Sequence, residues 1–325
     1  MMKVYLCQKG LRFITDMLQR LLPDHEILEC SPEEIATTAA DADVLIPAIV
    51  SLGEAELSLP NLKLVQQFGA GLDVVDIPTA SAKGVYVANV PTAGTGNAES
   101  VAEVAVMHML ALSRRYAEAR QSVQNGKVAT PTGRTLKGRT VLIIGFGGIG
   151  REVARRLQGF EMKILSVSRS GPKGTVEEEA IQVHRHDSHD QLHSLLPEAD
   201  FVVLAAPLND ETRGLISSSE FGLMKPSAFV INVARGGIIN YDCLFEALKE
   251  KQIMGAGLDV FWEEPCDPRD PLFDYNVTAT PHIGGATDLS FQGIASGVAE
   301  NIRRISSGDV PLNCVNKEAV TPKYS

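Results

Sequence analysis

Thr140–Phe160 reads TVLIIGFGGIGREVARRLQGF. A continuous apolar run suited to a buried strand ends at Gly145, and a helical stretch begins within a few residues of it. Gly145, Gly147 and Gly150 therefore stand in G-x-G-x-x-G register between strand and helix, the context in which that spacing marks a dinucleotide site. Gly145 permits the tight turn. Gly147 lets the main chain approach a pyrophosphate at the helix N-terminus, where unpaired N–H groups and the helix dipole favour negative charge, and Gly150 allows close packing of helix on strand. Gly148 and Ile149 belong to the same turn and are candidate cofactor contacts with it.

On both sides of this turn short β-branched runs alternate with helical stretches, which predicts an α/β fold of two Rossmann-like, doubly wound parallel-sheet domains. Upstream, Val4–Cys7, Ile27–Cys30, Val44–Ile49, Leu62–Gln67 and Val85–Val90 read as strands, with helices near Leu11–Leu22, Pro32–Ala40 and Ile77–Lys83. Asn97 to about Asn125 reads as one long helix stopped by Gly126. A second series of six strands follows at Thr140–Gly145, Lys163–Val167, Phe201–Ala206, Phe229–Val233, Met254–Asp259 and Val277–Thr280, and Asp288–Ser306 reads as a final amphipathic helix. The 325 residues suffice for two domains of about 150 residues each.

Composition narrows the partners. Hydrophobic residues at 44% and charged residues at 22% describe an ordinary globular chain rather than a disordered or fibrous one. A net charge of −10 repels phosphate polymers and anionic membrane surfaces, so neither nucleic acid nor membrane is expected as a partner. Five scattered cysteines (Cys7, Cys30, Cys243, Cys266, Cys314) without C-x-x-C spacing fit reduced thiols. The N-terminal MMKVYLCQKGLRF has too short an apolar run for a secretory signal, and even VAEVAVMHMLAL is interrupted by Glu103 and His108, so a cytoplasmic protein is expected.

The strand after the glycine turn, KILSVSRS, ends in Ser168, Arg169 and Ser170, where NAD enzymes usually place an acidic residue for the adenine ribose. Arg169 could pair with a 2′-phosphate, which favours NADP over NAD, although a solvated Arg169 would leave NAD acceptable. Ligands of open α/β sheets bind beyond the carboxyl ends of the strands. There FVINVARGG delivers Asn232 and Arg235, MGAGLDVFWEEP delivers Asp259 and Glu264, and VTATPHIGG delivers His282. Arg235 can hold a carboxylate by two hydrogen bonds, and His282 can exchange a proton near neutrality.

Gly145–Gly150, Val233–Gly237, Leu258–Pro265 and Pro281–Gly285 together resemble the D-isomer-specific 2-hydroxyacid dehydrogenases, as do LVQQFGAGLDVVD, SVAEVAVMHMLALSRR and ETRGLI elsewhere. The resemblance covers nearly the whole chain. It implies a catalytic set of Arg235, Glu264 and His282, in which Arg235 orients a small 2-oxo acid, His282 protonates its carbonyl oxygen and Glu264 pairs with His282. It further implies substrate contacts from Ala70 and Gly71 as well as Arg235 and His282. Implied cofactor contacts are Ala206, Pro207 and Thr212, then Val233 and Ala234, and Asp259, His282 and Gly284. A discontinuous substrate domain (1–93 and 285–325) would enclose a cofactor domain (94–284), lobe closure would exclude water, and the long helix would join a homodimer.

Departures from the family refine these expectations. Glu264 stands where formate dehydrogenases of the superfamily carry Gln, which argues against that activity. The sequence reaches only Ser325, so a C-terminal regulatory domain of the long phosphoglycerate dehydrogenases is not expected. NGKVATPTGRTLKG lacks the Trp that many members carry there. The string HRHDSHDQLH invites a metal reading, but the family uses none and a polar loop entering a helix is expected instead. A nucleotide-sensing corepressor-like scaffold, which retains the same fold and residues, and a short phosphoglycerate dehydrogenase are the alternatives to a reductase of small 2-oxo acids.

Overall fold

The computed structural model describes residues 1–169, 171 and 181–320. The chain divides into two compact units, one of Met1–Asn97 with Asp288–Ser325 and one of Ala98–Thr287. In the first, strands β1 (Lys3–Leu6), β2 (Glu26–Glu29), β3 (Val44–Ile46), β4 (Leu64–Gln66) and β5 (Tyr86–Ala88) form a parallel sheet in the order β2-β1-β3-β4-β5. Successive side chains of a strand point to opposite faces, and here both faces are covered. Val4, Leu6, Val44 and Ile46 pack with Leu18 and with Val298 and Ile302 of the helix Asp288–Ser306, while Tyr5, Leu45, Val65 and Val87 join the layer behind.

The second unit carries β6 (Thr140–Ile144), β7 (Lys163–Ser168), β8 (Arg185–Ser188), β9 (Phe201–Leu204), β10 (Phe229–Asn232), β11 (Gly255–Leu258) and β12 (Val277–Ala279), parallel throughout, in the order β12-β11-β10-β9-β6-β7-β8. From β6 the chain builds outward through β7 and β8, then returns to lay β9 on the other side of β6. That reversal makes the carboxyl ends of β6 and β9 the switch point where doubly wound sheets bind ligands. Val141 and Ile143 of β6 enter one core layer and Leu142 and Ile144 the other, which explains the unbroken apolar run.

Two local expectations need correction. The second sheet has seven strands, because the polar Arg185–Ser188 pairs with β7 as an edge strand instead of forming a loop. The long helix is two, Asn97–Ser113 and Tyr116–Gln124. Arg115 between them adopts φ +52, and the carbonyl of Ser113 is taken by the amide of Arg134 at 2.7 Å, so the helical ladder ends there. A short helix at Glu54–Leu57 has no counterpart in the sequence reading. Among the described residues no helix is long and apolar enough to cross a membrane.

Candidate active site

At the switch point lies a cavity of about 1060 Å³, lined among others by Gly145, Gly147, Ser168, Arg169, Ala206, Pro207 and Thr212. A Cβ on Gly145 would fall 2.5 Å from the Ala206 nitrogen, and one on Gly150 would fall 2.1 Å from the Gly145 carbonyl oxygen, so close main-chain approach excludes side chains at both. At Gly147 a Cβ would meet nothing within 4 Å. No contact with the described residues requires this glycine, which suits a position kept clear for a pyrophosphate. Gly147 also caps the helix Gly148–Gln158 without a side-chain hydrogen bond, leaving the donor end of that helix facing the turn. The residues present therefore fit a dinucleotide.

The wall of the cavity that Arg169 lines holds groups that the strand-end reading overlooked. The Arg151 guanidinium lies 5.4 Å from the centroid of Phe146, which in turn meets the His186 ring at 5.1 Å. His186 pairs with Ser166 Oγ at 2.6 Å and Ser168 Oγ at 3.1 Å, and burial lowers its pKa. Arg169 is exposed and only 3.9 Å from Glu211, which lines the same cavity together with Asp190. The wall thus mixes both signs of charge. Glu211 follows β9 and Asp190 follows β8, so their nearness to Arg169 could be read only from the strand order. Ser170 lies outside the described residues. The Thr212 hydroxyl donates to the Pro207 carbonyl at 2.7 Å and accepts from the Asn209 amide at 2.8 Å, so it shapes its own loop.

Arg235, Glu264 and His282 sit beyond β10, β11 and β12. His282 Nδ1 lies 2.7 Å from Glu264 Oε2, and the other carboxylate oxygen accepts the Phe261 amide at 3.0 Å. Burial pushes the Glu264 carboxyl up, but the His282 ring, the Phe261 amide and the charge of Arg235 outweigh it, and the group stays below the usual glutamate range. Arg235 follows β10 in a turn fixed by Asn232, whose side chain donates to the Arg235 carbonyl at 2.9 Å and accepts from the Ala234 amide at 3.1 Å. Gly236 brings this turn against the loop that bears Glu264, since a Cβ there would lie 2.2 Å from the Phe261 carbonyl. Arg235, Glu264 and His282 are thereby brought together, and Val233 and Ala234 are buried behind them.

Asp259 is 1% exposed, and its carboxylate holds the turn that carries His282. Oδ1 accepts from the Thr280 hydroxyl at 2.6 Å and the Ile283 amide at 2.9 Å, and Oδ2 from the Gly284 amide at 2.8 Å. His282 itself adopts φ +53. Ala70 and Gly71 belong to the other unit, in the loop after β4. There Asn89 donates to the Ala70 carbonyl and Gln67 to that of Gly71, each at 2.7 Å, so the Gly71 amide, trans to the first carbonyl, points the opposite way.

The histidine-rich string serves separate partners. His184 Nδ1 accepts the Ile164 amide at 3.1 Å, and His193 Nε2 meets Glu220 at 2.7 Å. Glu220 is buried, yet bonds from Ser217 and His193 lower its carboxyl to about 2. Among the described residues no group of three His, Cys, Asp or Glu could hold a metal ion.

Residues 106–284 match the family described as "D-isomer specific 2-hydroxyacid dehydrogenase, NAD binding domain". The chain belongs to that family. This 2-hydroxyacid dehydrogenase is accordingly an NAD(P)-dependent oxidoreductase. It is 37% identical over 292 residues to a glyoxylate reductase of Thermococcus litoralis, covering 86% of each chain, and 38% identical over 321 residues to one of Thermococcus gammatolerans, covering 93% of each. Among solved structures it resembles an NADPH-dependent glyoxylate/hydroxypyruvate reductase of Sinorhizobium meliloti in complex with NADP and malonate (TM-score 0.84, 26% identity, 99% of each chain). A dehydrogenase of the same family from Polaromonas is similar over 97% of this chain and 99% of that one (TM-score 0.82, 31% identity).

Proposed function

We propose that this dehydrogenase reduces glyoxylate to glycolate and related small 2-oxo acids such as hydroxypyruvate to D-2-hydroxy acids, with NADPH preferred as reductant. The observation that carries this reading is the 2.7 Å pair of His282 and Glu264 beside the Arg235 turn. When bound, the nicotinamide supplies the hydride for C2 of the substrate. The protein supplies the rest. Arg235 holds the carboxylate, with the amides of Ala70 and Gly71 assigned to the same group on the strength of their loop. His282 keeps Nδ1 on Glu264 and delivers a proton from Nε2 to the carbonyl oxygen, so that one hydride and one proton convert the carbonyl to the alcohol. Glu264 fixes the orientation of the ring. Asp259 is assigned to the nicotinamide carboxamide in addition to the turn it holds. NADPH preference rests on Arg169, with Arg151 on the same wall, and is opposed by Glu211 and Asp190. A homodimer is proposed through the helix Asn97–Ser113, where Met107 is exposed.

Turnover of glyoxylate, hydroxypyruvate, pyruvate and phenylpyruvate with NADPH and with NADH tests the reading. Expected are measurable reduction of glyoxylate, a higher kcat/KM with NADPH, and a loss of that preference in Arg169→Ala. His282→Gln is expected to lower kcat by roughly 10²–10⁴-fold with cofactor affinity unchanged. Cofactor binding without turnover of any of the four acids would instead favour a nucleotide-sensing scaffold.

A further inference from the structure

His108 is a histidine that the proposed chemistry leaves unused. It stands in the helix Asn97–Ser113 among Ala105, Met109 and Leu112 and is 1% exposed. Such burial is tolerable when the polar ring atoms are satisfied, and both are. Nδ1 lies 2.8 Å from Thr278 Oγ1 and Nε2 lies 3.0 Å from Thr280 Oγ1. Gly257 on β11 makes room for the ring, since a Cβ there would fall 2.6 Å from the His108 Cβ.

Counting protons fixes the direction of the bonds at Thr280 and, for a neutral ring, that of the bond to Thr278. A threonine hydroxyl has one proton, and that of Thr280 goes to Asp259 Oδ1, because an ionised carboxylate can only accept. Thr280 Oγ1 can then only accept from the ring, so His108 carries a proton on Nε2. Its Nδ1 is left with a lone pair, which accepts the Thr278 hydroxyl. Burial lowers the His108 pKa against the opposing pull of Asp259, in keeping with the neutral ring that this chain of bonds uses. The chain ends on the carboxylate that also receives the Ile283 and Gly284 amides, immediately after His282. A non-glycine residue at φ +53 is strained, and such a conformation persists only where its surroundings over-determine it.

We propose that His108 is a positioning residue for the acid–base step: as the Nε2–H tautomer, acting through Thr280 and Asp259, it locks the turn 280–284 in the conformation that aims His282 at Glu264. The proposal rests on the assignment of His282 as the acid. Without the ring, the Thr280 hydroxyl loses the donor that orients it, and the turn keeps one anchor fewer against a strained backbone.

Two measurements on the full chain test it. With ¹⁵N-histidine labelling, and His108→Gln to assign the signal among seven histidines, the His108 ring is expected to be neutral at pH 7 with its proton on Nε2. A proton on Nδ1, or a charged ring, overturns the chain of bonds. In kinetics with glyoxylate and NADPH, His108→Leu is expected to lower kcat at least tenfold while NADPH affinity stays within twofold. His108→Gln, whose amide both donates and accepts, should recover much of the loss. Thr280→Val keeps the packing but cuts the link to Asp259, so it should reproduce the defect even where His108→Leu fails to fold. A kcat within twofold of wild type in folded Thr280→Val overturns the positioning role, and leaves the acid assignment standing if His282→Gln is inactive. A His282→Gln protein that keeps its activity overturns that assignment instead.

Discussion

Glu264 is a carboxylate that burial alone would push toward its neutral form, yet its surroundings hold it below the ordinary value of 4.5. Folding therefore favours the ionised group. Its contacts with His282 and Phe261 are fully present above the ordinary range and are lost only as pH falls through the depressed value. The acid limb that Glu264 contributes to kcat/KM is expected below pH 4.5. Glu264→Gln should abolish that limb and, by removing a charge-assisted bond of about 2 kcal/mol, lower kcat ~30-fold. A variant whose pH profile overlays that of the wild type would rule out the pair. The grouping of Arg235, Glu264 and His282 was legible at this scale because each stands within six residues of the end of a recognisable strand. His108 was not: it is one polar letter in VAEVAVMHMLAL, and its partners stand 170 and 172 positions away.

The unit formed by β6, the glycine turn and the helix Gly148–Gln158 separates two roles that one motif joins. Gly145 and Gly150 are glycines because the main chain crowds them, and Gly147 is one although a Cβ there would meet none of the described residues within 4 Å. Its φ of −85 and ψ of −155 suit alanine as well. Gly147→Ala is therefore expected to leave Tm unchanged and to weaken NADPH binding at least tenfold, as read by thermal melts and titration. Gly145→Ala, at φ +94 and against the Ala206 main chain, should instead lower Tm itself. Equal affinity in Gly147→Ala would mean the turn does not face the pyrophosphate. The same elements show where pattern reading stops. β6 was plain because it is central and apolar on both faces, whereas β8 is an edge strand of RHDS that needs no apolar alternation. The break at Arg115 was invisible because the amide that ends the helix comes from Arg134, far along the chain.

Across the whole molecule the two units differ in how the chain supplies them. Both core layers of the second draw every residue from within Ala98–Thr287, an uninterrupted stretch that also carries the cavity at the switch point. The first unit needs Ile294, Val298 and Ile302 from the far side of that stretch to cover one face of its sheet. Two domains could be counted from length and alternation, and the resemblance implied that the chain after 285 returns to the first, but which face it covers appears only when the helix Asp288–Ser306 is seen to pack with β1 and β3. This dependence makes an asymmetric prediction for fragments. Ala98–Thr287 expressed alone should unfold cooperatively and bind NADPH, and at ligand a hundredfold above Kd the linkage of about 2.7 kcal/mol should raise its Tm by roughly 5–10 °C. A fragment ending at Asn97 leaves the apolar face of Val4, Leu6, Val44 and Ile46 without its covering helix, and should be unfolded or aggregated by circular dichroism and light scattering. A folded, monomeric 1–97 fragment would show that the returning helix is dispensable, and an Ala98–Thr287 fragment that melts without cooperativity would show that its two layers are not a self-sufficient core.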